Sequence, residues 1–314
     1  MHALTPARDR GIDGAWAFER YEAVRARLPA AQFGSVETRE ARSLGDLSDR
    51  YDAFLLDGFG VLNVGLEPIP GAVERMGRLQ RAGKRLVVLT NGATQSLEKA
   101  VDKYRRMGFG FSAEAIVSSR AVAVAALERH APEGRNGAPL WGVAAGREPD
   151  LGGVDVATVP LRDEADAYEA ADAFLLLSSS DWTERRHERL AAALAERPRP
   201  VVCANPDIVA PFTDGFSLEP GYFAHDLADR GLAEPVHYGK PFPLAFETAL
   251  DALAGIPRER VAMVGDTLHT DILGGRAAGL STVLVTGHGL FRGLDPMRFI
   301  ELSGIRPDWI VETT

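Results

Sequence analysis

The stretch FLLDGFGVLN, Phe54 to Asn63, decides how the rest of the chain is read. An apolar run, Phe54 to Leu56, ends at Asp57, and Gly58 and Gly60 then flank Phe59. That pattern reads as a buried strand whose carboxyl end opens into a flexible turn. In open parallel α/β sheets, this edge is where ligands bind. Immediately downstream, Pro70 opens and Gly83 closes a helical pattern. RLVVLTN, Arg85 to Asn91, is a second strand, and the three pieces form one βαβ unit.

Further out the rhythm continues. QSLEKAVDKYRRMGFG carries Leu97, Val101 and Tyr104 on one helical stripe, and AEAIVSS with AVAVAALERH adds a strand and an apolar helix. APEGRNGAPLWG, rich in Pro, Gly and Asn, reads as a linker into a second αβ series: PLWGVAAG, AFLLLSSS, TERRHERLAAALAE and PVVCANPD. After GLAEPVHYGKP the first style resumes with VAMVGD, a short helix ending at Gly279, and STVLVTG. The expected fold is α/β: a Rossmann-like parallel-sheet core with an inserted α/β domain. The expected divisions are an N-terminal extension, 1–45, with one helix around AFERYEAVRARLP; a first core part, 46–132; the insert, 133–233; and a second core part, 234–314.

At 314 residues the chain can bury a core of one large or two ordinary domains. A net charge of -9 with no offsetting basic block argues against a nucleic-acid partner. The single Cys203 rules out an internal disulfide. No apolar run reaches the roughly 18 residues of a membrane span, and the opening MHALTPARDR has no apolar signal-peptide core, so the expected location is the cytoplasm.

Polar residues cluster at the strand ends: Asp57, then Thr90 and Asn91, Lys240 in HYGKP, and Asp266 with Asp271 in VGDTLHTD. Singly, each has a plain structural use as a turn or cap residue. Together they suit phosphoryl transfer through an aspartyl-phosphate. Asp57 is the candidate nucleophile, and Asp57 with Asp266 can share a Mg²⁺ ion. Thr90, Asn91, Lys240 and the backbone amides of the glycine-rich turns at Gly58 and Gly92 can hold phosphoryl oxygens, with Asp271 orienting Lys240 or a metal-bound water. Lysine stands only at positions 84, 99, 103 and 240 in an arginine-rich chain, so Lys240 is not background.

With these motifs in this order, the chain resembles the haloacid dehalogenase superfamily from about residue 50 to its end. The large insert between the second and third motifs is similar to the cap of its subfamily IIA, the branch of 4-nitrophenylphosphatase-like nucleotide and sugar-phosphate phosphatases. PGA at Pro70–Ala72, ANPD at Ala204–Asp207 and GKP at Gly239–Pro241 fit that branch. The resemblance implies a Mg²⁺-dependent phosphatase of a small phosphorylated metabolite. It places Asn205 and Asp207 among the substrate-binding residues, makes the Phe59 carbonyl a metal ligand, and leaves a homodimer unsurprising.

Phe59 departs from the pattern, because phosphatases of this family usually carry a second Asp there as general acid and base. Its loss removes a contribution typically worth about 10² to 10⁴ in rate. A haloacid dehalogenase would tolerate an aromatic at this place, but Asp266 would serve no purpose there. A phosphonate hydrolase would need a lysine in the insert, and none stands between Lys103 and Lys240. Two readings stay open: a slow or selective phosphatase, and a phospholigand-binding protein with little turnover. Asp207 and His225 are candidates for a donated proton. Cys203 reads as a buried hydrophobe, His237 and His269 lack partners at metal-ligand spacing, and Trp141, Trp182 and Trp309 read as packing residues.

Overall fold

In a strand covered on both faces every side chain is buried, and Ala53–Leu56 has this pattern throughout. The computed structural model describes residues 11–34, 37–134, 137–212 and 215–314. The opening decapeptide and residues 135 and 136 of the linker lie outside the described residues.

Ala53–Leu56 sits inside a seven-stranded sheet. Its order is Arg39–Ser43, Trp309–Thr313, Ser281–Val285, Val261–Gly265, Ala53–Leu56, Arg85–Thr90 and Ile116–Ser118. Every pairing in it is parallel. Parallel neighbours need crossovers, and helices such as Ala72–Arg81 and Leu97–Arg106 supply them. Ala72, Met76 and Leu79 are the buried face of the first of these, as its 3.6-residue spacing requires.

A second, five-stranded parallel sheet runs Val236–His237, Val201–Cys203, Ala173–Ser178, Trp141–Ala145 and Thr158–Pro160. It is joined by the antiparallel hairpin Val209–Phe212 with Gly215–Leu218. A continuous buried cluster links the two sheets, from Leu55 and Leu89 through Val122 and Phe246 to Val143, Leu175 and Val202. Val236–His237, read from sequence as second-core residues, pair instead with Val202 and Cys203 of the smaller sheet.

The segment read as an extension is built into the larger sheet. Arg39–Ser43 is its edge strand, in register with Trp309–Thr313, and its polar composition suits an edge. The predicted helix spans Gly14–Ala23, with the Asp13 carboxylate accepting from the Trp16 amide. It lies between the two sheets' substructures. Arg20 and Arg27 pair with Asp229 of the insert at 2.6 and 2.7 Å, while Glu22 lies 2.5 Å from His269 of the core. Among the described residues no helix is long and apolar enough to cross a membrane.

Candidate active site

Three adjacent strands at the centre of the large sheet end side by side: Val261–Gly265, Ala53–Leu56 and Arg85–Thr90. Because they are parallel and in register, Asp266, Asp57 and Thr90 emerge at one edge. The Asp57 amide donates to the Val264 carbonyl at 2.9 Å, which ties that turn to the neighbouring strand.

Lys240 reaches this edge from the loop after Val236–His237. Its Nζ lies 2.5 Å from Asp57 Oδ1 and 2.7 Å from Asp271 Oδ1, and the side chain is 1 % exposed. The Gly58 amide donates to the same Asp57 oxygen at 2.6 Å. Burial opposes the ammonium charge, but Asp271 and Asp57 hold its pKa above that of an ordinary lysine.

Asn91 fixes Lys240 from behind. Its Oδ1 accepts from the Lys240 amide at 2.7 Å, and its Nδ2 donates to the Lys240 carbonyl at 2.9 Å and to Asp207 Oδ1 at 2.8 Å. Thr90 Oγ1 accepts from the Gly92 amide at 3.1 Å. Asp266 accepts from Thr267 Oγ1 and from the Leu290 amide, each at 2.9 Å, and Asp271 Oδ2 accepts from the Thr267 amide at 3.1 Å. Two glycines make room for Asp266. A Cβ on Gly60, whose φ is +77°, would lie 2.4 Å from its Oδ2, and one on Gly289 would lie 1.9 Å away.

Ligand oxygens of Asp57, Asp266 and Asp271 all fall within 4.8 Å of one another. Burial, with Asp57 nearby, raises the pKa of both Asp266 and Asp271. Lys240 pairs with Asp57 and Asp271, whereas Asp266 is held by the Thr267 hydroxyl and the Leu290 amide. A buried set of carboxylate oxygens short of positive charge suits a hard divalent cation. The predicted residues Asp57, Asp266 and Asp271 are therefore brought together in a form that fits a metal.

Other predicted residues are placed differently. Asn205 turns inward, donating to Glu219 Oε2 at 3.0 Å and accepting from the Asp207 amide at 3.0 Å, so its amide shapes the ANPD loop. Asp207 lies against Asn91, and burial raises its pKa well above the carboxylate range. His225 is stacked on His237 at 4.7 Å, and burial pulls it down to about 3. Burial thus favours the neutral form of this ring. Cys203 is buried, with its thiol pushed up to about 12 by burial, as an inert hydrophobe should be.

Reasoning from sequence missed the surroundings of Phe59. Its ring centroid lies 6.0 Å from that of Phe212, at the tip of the insert hairpin. Lys103 Nζ sits 4.8 Å from the Phe59 ring and 4.7 Å from the Tyr104 ring. Burial lowers Lys103 to about 8, against the pull of Asp57. The available signal was the scarcity that singled out Lys240, since Lys103 is another of the few lysines.

The family described as haloacid dehalogenase-like hydrolase matches residues 54–142, and a second HAD-hydrolase-like family matches residues 237–313. Human chronophin is 30 % identical over 256 residues, covering 79 % of this chain and 85 % of that protein. Chloroplastic phosphoglycolate phosphatase 1A of Arabidopsis thaliana is 26 % identical over 265 residues, covering 80 % of this chain and 73 % of its own. A crystal structure of a possible sugar phosphatase from Cytophaga hutchinsonii superposes with a TM-score of 0.77 at 26 % identity, covering 88 % of this chain and 98 % of that one.

Proposed function

The chain belongs to the haloacid dehalogenase-like hydrolases, with neighbours of the 4-nitrophenylphosphatase and NagD type, and on that premise we propose that it is a Mg²⁺-dependent phosphatase of a small phosphorylated metabolite. The observation that carries this reading is the Asp57–Lys240–Asp271 ion-pair chain beside Asp266, at the carboxyl edge of adjacent central strands. Asp57, Asp266 and the Phe59 carbonyl would hold the Mg²⁺, with Asp271 close by. Bound there, the ion would offset negative charge on the carboxylates and the phosphoryl group.

The protein's own groups supply the rest. Lys240 and the Gly58 amide fix one Asp57 oxygen and with it the plane of the carboxylate. In the first step an Asp57 oxygen bonds to phosphorus, the ester P–O bond breaks, and its electron pair leaves on the alcohol oxygen. Water then attacks phosphorus, releasing inorganic phosphate and restoring Asp57. Thr90, Asn91 and the amides of Gly58 and Gly92 would hold the phosphoryl oxygens. The five-stranded insert, read as a cap, would cover the substrate.

The alcohol oxygen must gain a proton, and Phe59 has none to give. Asp207, against Asn91, is the candidate donor, and burial shifts its carboxyl towards the protonated form. Esters with good leaving groups should therefore react best. Phe59 also favours a second reading, a phospholigand binder with little turnover.

Phosphate release from 4-nitrophenyl phosphate, with Mg²⁺ or EDTA, separates the two. Turnover that needs the metal and disappears in Asp57→Asn supports the phosphatase. Binding of phosphate esters without release by the wild type supports the binder.

A further inference from the structure

Among the described residues, three of the four lysines have a carboxylate within ion-pair distance. Lys84 lies 3.8 Å from Asp52, Lys99 lies 3.3 Å from Asp150, and Lys240 pairs with Asp57 and Asp271. Lys103 has only aromatic rings at comparable range, Phe59 at 4.8 Å and Tyr104 at 4.7 Å. It projects from the helix Leu97–Arg106 towards the catalytic edge, near enough to feel the charge of Asp57. A ring face can hold an ammonium in place without neutralising it. Phe59 does so here, where an acid would close an ion pair and cancel the charge.

The surroundings disfavour that charge in itself, lowering the pKa to about 8, but strengthen its attraction for an anion. Phe59 faces Phe212 of the insert, and the Tyr104 hydroxyl lies against Gly58, where an added Cβ would be 2.7 Å away. Apolar walls lower the local dielectric, so an anion meeting Lys103 gains more than it would in water. Lys240 is already committed to two carboxylates, which leaves Lys103 as the uncommitted cation at this edge among the described residues. It stands over Phe59, two residues beyond the candidate nucleophile and against the insert side of the site. A group meeting it there belongs to the part of the ligand beyond the transferred phosphoryl group.

We infer that Lys103 is a specificity residue that binds an anionic group, a carboxylate or a second phosphate, on the alcohol part of a phosphate monoester. This rests on the phosphatase reading for the placement of the phosphoryl group at Asp57. Lys103 binds the leaving portion of the substrate and takes no part in the covalent step.

The experiment compares three probes: phosphoglycolate, ethylene glycol bisphosphate and ethyl phosphate. Their affinities are measured by calorimetry in the Asp57→Asn background, with Lys103 intact or changed to Met or Arg, and their kcat/KM values in otherwise wild-type protein. Lys103→Met should weaken an anionic probe about ten- to a hundredfold, the loss expected for one charged hydrogen bond, and leave ethyl phosphate within about threefold. Lys103→Arg should retain the preference. Phosphoglycolate against the bisphosphate tells which anion is read. Equal losses on all three probes, or no loss on any, would overturn the inference. Discrimination in the binding arm without turnover would sink the phosphatase reading and leave the role of Lys103 standing.

Discussion

Asn91 and Lys240 grip each other twice through the backbone of the lysine: Asn91 Oδ1 accepts from the Lys240 amide at 2.7 Å, and Asn91 Nδ2 donates to the Lys240 carbonyl at 2.9 Å. The Lys240 ammonium is thus aimed by a residue that directly follows the strand Arg85–Thr90. Asn91→Ala leaves a buried amide and carbonyl unpaired, each costing about 1 to 3 kcal/mol, so the denaturation midpoint should fall. Activity should fall further than stability accounts for, by about ten- to a hundredfold in kcat with a smaller change in KM, because Lys240 loses its aim. Steady-state kinetics with urea unfolding of the same variant checks both.

Phe59→Asp tests what the phenylalanine is for. A carboxyl at this position could donate a proton, so turnover of esters with poor leaving groups should rise, by at most the roughly 10² to 10⁴ that such catalysis supplies. The same carboxylate would lie beside Lys103 and pair with it. Any preference for esters with an anionic alcohol part should shrink while total activity grows. If both classes of ester accelerate equally, Lys103 is not the source of selectivity.

The sheet and most of the site were legible because their signals are local. Asp57, Thr90 and Asp266 each follow an apolar run within a residue or two, and Lys240 was marked by rarity. What was not legible depends on distant partners. Arg39–Ser43 has no apolar alternation, because an edge strand buries little of either face. The meeting of Phe59 with Lys103 and Phe212 joins three segments that no spacing rule connects. Asn205 was expected at the substrate for its motif, but its hydrogen bonds go to Glu219 and the Asp207 amide.

The helix Gly14–Ala23 has a testable share in the site. Tyr21 stacks on His269 at 5.0 Å, and its hydroxyl accepts from the Ile208 amide at 3.0 Å, next to Asp207. Tyr21→Phe keeps the ring and strands that buried amide, at a cost of about 1 to 3 kcal/mol. The expected result is faster hydrogen exchange at Ile208 and a lower kcat/KM, with exchange in the sheet around Ala53–Leu56 unchanged. Unaltered exchange at Ile208 would show that the helix does not hold this loop.

Glu219 should give the fold a pH dependence of a particular sign. Burial pushes its pKa up to about 7 from 4.5, against hydrogen bonds from Ser217 and Asn205. Between those values the native protein keeps a proton that the unfolded chain has released. Stability must then fall as pH rises through the window, because the native state binds more protons than the unfolded one. Below it both states are protonated, and above it both are ionised and the full cost is present. Glu219→Gln removes the titration while preserving much of the shape. The urea midpoint of the variant relative to wild type should therefore rise steadily from about pH 4.5 to about 7 and level off above. A difference that shrinks over that range would mean that the native fold stabilises the Glu219 carboxylate.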